Sequence, residues 1–221
     1  MLTVHHLNNS RSQRVLWLLE ELGVPYEIVR YQRQPDMHAP AELRAIHPLG
    51  KSPVITDNGN TIAESGAIAE YLTETYGDGR LIPLPKTPDR LRYTYWLHYA
   101  EGSAMSPLLL KLLFTLMPKR APALLRPVVR KVANQALTAL VNPMLKQHMA
   151  FWESELGKSE WFAGNEFTVA DIQMSFPLEA AAARAGLDQG HPKAMAFLDR
   201  IQARPAYQRA LEKGGPYAVG R

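Results

Sequence analysis

Three short groups of residues carry the polar chemistry of this chain. The first is Asn8-Asn9-Ser10-Arg11-Ser12, a polar turn after an apolar start. The second is Lys51-Ser52-Pro53, and the third is Glu64-Ser65. Ser10 ends a turn from a strand into a helix, where the positive end of the helix dipole favours negative charge. Ser65 opens a second helix, and the backbone amides of such an end form a ready anion site. Pro53 cannot donate a ladder hydrogen bond, so it stands at the first position of a strand or at a bend entering it, and Ser52-Pro53 is a candidate cis peptide. A fixed Ser-Pro backbone facing a carboxylate-binding helix end suits a small extended peptide with a free carboxylate.

The elements that must position these groups follow from local pattern. Leu2 to His6 reads as a first strand. Val15, Leu18, Leu19 and Leu22 fit a helix from Gln13 to Leu22, with Gly23 at the stop position. Tyr26 to Tyr31 reads as a second strand, parallel to the first by the βαβ rule. Gln32 to Pro40 is a loop and Ala41 to Ile46 a short helix. Asn58-Gly59 marks a type I′ hairpin between Val54-Ile55 and Thr61-Ile62-Ala63. Ile68, Tyr71 and Leu72 give the next helix its apolar face. The order is βαβαββα.

Beyond Gly77-Asp78-Gly79 the pattern is helical. Leu84 to Pro88 reads as a linker. Asp89 to about Met117 is one long helix that Pro107 must kink, followed by a basic connection through Pro118, Pro122 and Pro127. About Val128 to Leu156 is another, with Pro143 as its kink. Thr168 and Asp171 have the spacing of a capping box, with Phe167 and Ile172 as its hydrophobic staple; this signature is structural. Later helices run from about Asp171 to Ala185, from Pro192 to Ala203 and briefly after Pro205. The domains are therefore 1–78, a linker at 79–88, and an all-helical 89–221.

Lys51-Ser52-Pro53 followed by Glu64-Ser65 resembles the glutathione-binding core of the cytosolic glutathione transferases. The resemblance runs over essentially the whole chain, most specifically residues 8–22, 47–76 and 164–172. It implies a thioredoxin-like N-terminal domain, here without that fold's Cys-x-x-Cys, followed by the helical domain. It further implies that Ser52 holds the cysteinyl part of glutathione through its backbone beside a cis Pro53. Glu64 and Ser65 then take the γ-glutamyl end, and Lys51 lies near the glycyl carboxylate. Ser10, four residues before Arg14, matches the serine of theta-like members, which donates a hydrogen bond to the glutathione sulfur and so activates it without being a nucleophile. Glutathione is the co-substrate and no cofactor is permanently bound. The implied reaction is attack of the thiolate on a small hydrophobic electrophile, with glutathione-dependent peroxide reduction alongside. Tyr99, Met105 and Phe114 are the candidates for the electrophile site. The implied assembly is a homodimer.

Each of these residues has a plainer reading. Ser10-x-x-Gln13 is also a capping box, and Ser12 could cap the same helix. Asn9 is an alternative donor to the thiolate. Arg11 either supplies positive potential or is a solvated charge. Glu64 has a plainer reading as an ordinary first-turn acid, but its place beside Ser65 at a helix start after a hairpin favours the binding role. Two competing functions remain at this level: a non-catalytic interaction module of the same fold, and a glutathione-dependent disulfide reductase.

Composition narrows the field. The 221 residues are 46% hydrophobic and 21% charged, ordinary for a globular chain. There is no cysteine, so disulfides, thiolate metal sites and a protein thiol nucleophile are excluded. The seven histidines show no metal spacing. No apolar run approaches the ~18 residues of a membrane span, and the N-terminus lacks a signal pattern, so the expected location is cytoplasmic with no membrane partner. The net charge is +4 but uneven: residues 1–78 hold 6 Lys/Arg against 10 Asp/Glu. Between Glu101 and Glu153 there is no acid, while Lys111, Lys119, Arg120, Arg126, Arg130, Lys131 and Lys146 lie there. This region predicts a positive field near the site mouth rather than a nucleic-acid interface, for which no motif is present.

Overall fold

The computed structural model describes residues 1–34 and 38–219. Residues 35–37 of the expected loop lie outside the described residues. Strand β1 (Thr3–Leu7), helix α1 (Ser12–Leu22), β2 (Glu27–Tyr31), α2 (Ala41–Ile46), β3 (Val54–Asp57), β4 (Asn60–Ala63) and α3 (Ser65–Tyr76) follow one another in the expected order. The sheet order is β2-β1-β3-β4. β1 is parallel to β2 and antiparallel to β3, and β3 pairs antiparallel with β4. Asn58 and Gly59 both take positive φ (48° and 82°), as a type I′ turn requires. Gly23 closes α1 at φ 68°. The Ser52-Pro53 bond is cis.

Helix α1 is buried on nearly every side, Arg14 included. It lies between the sheet and the helical part of the chain, packing on α8 (Val169–Arg184) and α10 (Pro205–Gly214). Trp17 joins the two parts. Its ring stands edge-on to Tyr207 at 5.1 Å and tilted on Phe167 at 5.6 Å. One hydrophobic core therefore runs from β1 through α1 into the helices.

The helical part departs from the predicted long helices in an instructive way. The first is α4 (Pro88–Tyr99), a π-helical turn (Ala100–Ala104) and α5 (Met105–Arg120). The second is α6 (Arg126–Ala136), a π-helical turn (Leu137–Val141) and α7 (Asn142–Leu156). Each π turn lies just before the proline expected to kink the helix, Pro107 or Pro143. A proline ring clashes with the preceding turn and lacks an N–H, and a widened turn accommodates both defects. Pro118 is inside the last turn of α5, so that helix ends at Arg120 rather than Met117. Helix α9 is Pro192–Gln202.

The start of α8 matches the capping signature. The Asp171 carboxylate accepts from the Thr168 backbone N–H at 2.8 Å and from that of Phe162 at 2.8 Å. Asp171 is fully buried, and burial pushes its carboxyl up to about 6 against these hydrogen bonds. Phe167 packs on Trp161 at 5.0 Å as well as on Trp17.

Candidate active site

The loop from Asn8 to Arg11 leaves the end of β1 and forms one wall of a cleft of about 610 Å³. Ser52 completes that wall. The opposite wall is a helical stripe of α5, made by Met105, Leu108, Leu109, Leu112 and Leu116, together with Phe176 and Ala180 of α8. Ala218 and Val219, beyond α10, close one side.

Ser10 is buried and belongs to a chain of hydroxyls. Its Oγ lies 2.8 Å from Ser12 Oγ and 3.3 Å from Ser52 Oγ, and it accepts from the Ser12 backbone N–H at 3.2 Å. Ser12 Oγ in turn lies 2.8 Å from His6 Nδ1. Burial and then Arg30 push the His6 imidazole down to about 4, so near neutral pH it offers an acceptor nitrogen. Ser52 Oγ donates to the His5 carbonyl at 3.3 Å and accepts from the Leu7 N–H at 3.4 Å. Ser12 and Ser52 thus each have an acceptor outside the chain. The Ser10 proton has only the neighbouring hydroxyls and is the one free to turn towards a group in the cleft. The capping box Ser10-x-x-Gln13 does not form: Arg11 is the N-cap, and the buried Gln13 amide has no partner. Only the Ser10 carbonyl meets the Gln13 N–H, at 3.3 Å.

Asn9 is committed elsewhere. It sits at φ 50°, and its Oδ1 accepts from the Ala218 N–H at 2.8 Å. Its neighbour Asn8 accepts from the Arg33 N–H at 2.8 Å. The loop is thereby tied to the end of the chain on one side and to the segment after β2 on the other.

The Glu64-Ser65 pair opens α3. Glu64 is exposed and holds φ 71°, ψ 125°. A non-glycine residue in that region costs about 1–3 kcal/mol and persists where the surroundings over-determine it, as at ligand clamps. Buried Ser65 accepts from Arg14 at 3.1 Å, which leaves its own proton to donate. Arg14 also donates to the Gln173 carbonyl at 2.7 Å and pairs with Glu101. Glu101 meets Arg11 at 3.1 Å as well. Burial works to raise the Glu101 carboxyl, but Arg14 and Arg11 outweigh it and hold it below the usual range. This network links Ser65 to the Ser10 loop across both parts of the chain. Arg14, Glu101 and Gln173 carry no short motif; only folding brings positions 14, 101 and 173 together. Arg11 is lowered mainly by burial, and Arg33 by burial and then by Arg11. Two arginines therefore press on each other beside Ser10, and the loop carries positive potential.

Pro53 is buried behind Ser52, and Lys51 is exposed beside it. The three electrophile candidates separate. Met105 lines the cleft. Tyr99 does not: it is buried between α4 and α7, accepts from Trp152 Nε1 at 3.2 Å, bonds His148 and stacks on Tyr95 at 5.5 Å. Burial pushes its phenol up to about 12, as for a packed core tyrosine. Phe114 faces another groove of about 440 Å³ between α5 and α6, with Lys119, Arg126 and Arg130. Residues 99, 105 and 114 share a helical segment but not a face, because a π turn intervenes and the period is 3.6. The leucines of α5 and the Phe176-Ala180-Arg184 row of α8 were missed; their i, i+4 spacing was the available signal. The predicted positive field also shifts. Arg126 and Arg130 face the second groove, and the arginines lining the cleft are Arg11, Arg33, Arg120 and Arg184.

Models of the glutathione S-transferase N-terminal and C-terminal domains match residues 1–74 and 116–205. The chain belongs to the glutathione S-transferase family. Glutathione S-transferase 3 of Schizosaccharomyces pombe is 35% identical over 213 residues, covering 96% of this chain and 88% of that protein. Glutathione S-transferase 1 of Saccharomyces cerevisiae is 32% identical, covering 96% and 95%. The crystal structure of a glutathione S-transferase from Actinobacillus pleuropneumoniae superposes with a TM-score of 0.80 at 31% identity, over 100% of this chain and 96% of that one. A sphingomonad glutathione S-transferase, solved in complex with glutathione, gives 0.73 at 25% identity, over 96% and 98%. The fold is thus the thioredoxin-like and helical pair of this family, and the protein is a glutathione transferase. Among the described residues no group of three metal-ligating side chains occurs, and no helix is long and apolar enough to cross a membrane.

Proposed function

We propose that this transferase binds glutathione along the wall made by residues 1–78 and delivers its thiolate to a hydrophobic electrophile held by residues 89–221. In this reading the ligand's cysteinyl backbone lies against Ser52, beside the buried cis Pro53. Its γ-glutamyl ammonium meets Glu64, and its γ-glutamyl carboxylate takes the proton of Ser65, whose oxygen Arg14 has already fixed. Lys51 lies towards the glycyl carboxylate. The Ser10 hydroxyl donates to the sulfur.

The observation that carries the reading is the hydrogen-bond arrangement at Ser10. Its proton is the one member of the hydroxyl chain without an acceptor outside it, and it sits at the wall of an apolar cleft. A hydrogen bond to a thiolate is stronger than one to a thiol, so the bound sulfur loses its proton to solvent at lower pH. The sulfur lone pair then forms the C–S bond, while a leaving group departs or a conjugated carbonyl takes the electron pair. With a peroxide, sulfur attacks oxygen, the O–O bond breaks and the alkoxide leaves and takes a proton; a second glutathione then displaces water from the resulting sulfenic acid to give the disulfide. The chain has no cysteine, so the reacting sulfur is always the ligand's. The reading includes a two-fold homodimer acting in the cytoplasm in detoxification, as the family resemblance implies. Calorimetry with glutathione tests it: micromolar-to-millimolar binding that Glu64→Ala and Ser65→Ala weaken is the expected result. Absence of binding would overturn it and leave a non-catalytic interaction module.

A further inference from the structure

Resting on the transferase reading, we infer that the electrophile this cleft takes is an elongated apolar molecule ending in an anion, such as a medium-chain carboxylate with its reactive carbon at the other end. The cleft has a direction. Each helix has one point tied to the Ser10 loop's cations: Met105 follows the π turn that holds Glu101, the partner of Arg11, and the Arg11 guanidinium lies 5.5 Å over the Phe176 ring in mid-α8. Both helices then run to an arginine that is their last residue, Arg120 and Arg184. From Leu112 to Arg120, and from Phe176 to Arg184, is about 12 Å of helix. That length is walled by aliphatic side chains, and two cations stand at its far end.

No aspartate or glutamate lines the cleft among the described residues. Arg11 shares Glu101 with Arg14, but neither Arg120 nor Arg184 has a carboxylate partner among the described residues. A cation at a helix C-terminus stabilises the helix dipole, which accounts for one arginine on each helix. It does not account for both lining one cleft whose described residues include no acid, beyond an apolar stripe. A carboxylate there gains charge-assisted hydrogen bonds, while the chain it terminates covers the leucines. The reactive carbon is then left at the Ser10 end, where the thiolate forms. For an enal of this kind the sulfur adds to the β-carbon, the π electrons pass to the enolate, and water supplies the proton; nothing else is consumed.

The test compares a medium-chain enal bearing a terminal carboxylate with its methyl ester, on the wild type and on the double variant R120Q/R184Q. Binding of dodecanoate and of methyl dodecanoate is measured alongside by calorimetry, with S-methylglutathione saturating. The expected result is a kcat/KM about tenfold higher for the acid, and dodecanoate binding about tenfold tighter than the ester. Both preferences fall towards unity in the double variant, because its handling of the acid drops to the level of the ester while its affinity for S-methylglutathione holds. Equal handling of acid and ester by the wild type, or a preference that survives R120Q/R184Q, overturns the inference and leaves the arginines as helix-end charges. If no electrophile is turned over but dodecanoate still binds in an arginine-dependent way, the transfer reading fails while the anion-terminated cleft stands.

Discussion

Replacing Ser10 by alanine removes one hydroxyl and, in the proposed mechanism, one hydrogen bond to a thiolate. A hydrogen bond to a charged partner contributes about 1.5–3 kcal/mol, and about 1.4 kcal/mol is one pKa unit. The thiol of bound glutathione should therefore rise by about 1–2 units in Ser10→Ala. The positive potential of Arg11 and Arg33 remains, so the rise should stop short of the free-thiol value of about 8.5. The sign fixes the pH window. The stabilised thiolate forms at lower pH in the wild type, so well below the wild-type thiol pKa the variant should lose about 10- to 100-fold in thiolate fraction and in kcat. The two enzymes should converge as pH exceeds both pKa values. The assay is an ultraviolet thiolate titration of the glutathione complex, with pre-steady-state conjugation rates over the same pH range. Glutathione affinity above the variant's thiol pKa should change little, because Ser52, Glu64 and Ser65 are untouched. An unchanged thiol pKa in Ser10→Ala would refute the reasoning, and since Asn9 is tied to Ala218, a loop N–H would become the candidate donor.

Three further outcomes follow from buried groups. Glu179 is fully buried, accepts from Tyr207 at 2.6 Å and Tyr217 at 2.7 Å, and burial raises its carboxyl to about 7. The folded state therefore holds that proton more tightly than the unfolded chain: its contribution is complete below about pH 4.5 and is lost as pH rises through 7. Glu179→Gln should remove about 3 kcal/mol of pH-dependent stability between pH 5 and 8, read as a flatter plot of Tm against pH; an unaltered slope would place the titration elsewhere. Tyr217 precedes Ala218 and Val219, which wall the cleft, so Tyr217→Phe should raise the electrophile KM several-fold with glutathione affinity unchanged. Loss of both affinities together would mean the tail supports the whole site. Asp171→Ala leaves the Thr168 and Phe162 N–H groups buried without acceptors and should cost about 3 kcal/mol, or about 10 °C in Tm, in a thermal melt; a change below about 1 kcal/mol would show that water replaces the carboxylate.

The sequence was most legible where local physics decides. The Asn58-Gly59 turn, the Gly23 stop and the Thr168-Asp171 cap each depend on a few adjacent residues, and each forms as read. Helix boundaries near prolines were less legible. The cost of a proline is local, but whether a kink, a break or a π turn absorbs it depends on packing around it. At Ser10 the sequence left two readings open, a cap and a donor. The structure shows that the capping box does not form, and it joins Ser10 to Ser12 and Ser52, and Ser12 to His6, residues far apart in the chain's elements and loops.

By itself, then, the sequence determined the order of elements, the absence of any protein thiol, and the three polar groups at residues 8–12, 51–53 and 64–65. These are matters of neighbouring residues, where propensity, turn chemistry and capping act over a turn or two. Only the tertiary structure decided that Arg14, Glu101 and Gln173 support Ser65, that Asn9 ties down the end of the chain, and that Tyr99 is core while the leucines of α5 face the cleft. Such contacts join positions tens to hundreds of residues apart. They arise because burying the apolar faces of α1, α5 and α8 against one another fixes where the remaining polar side chains must meet.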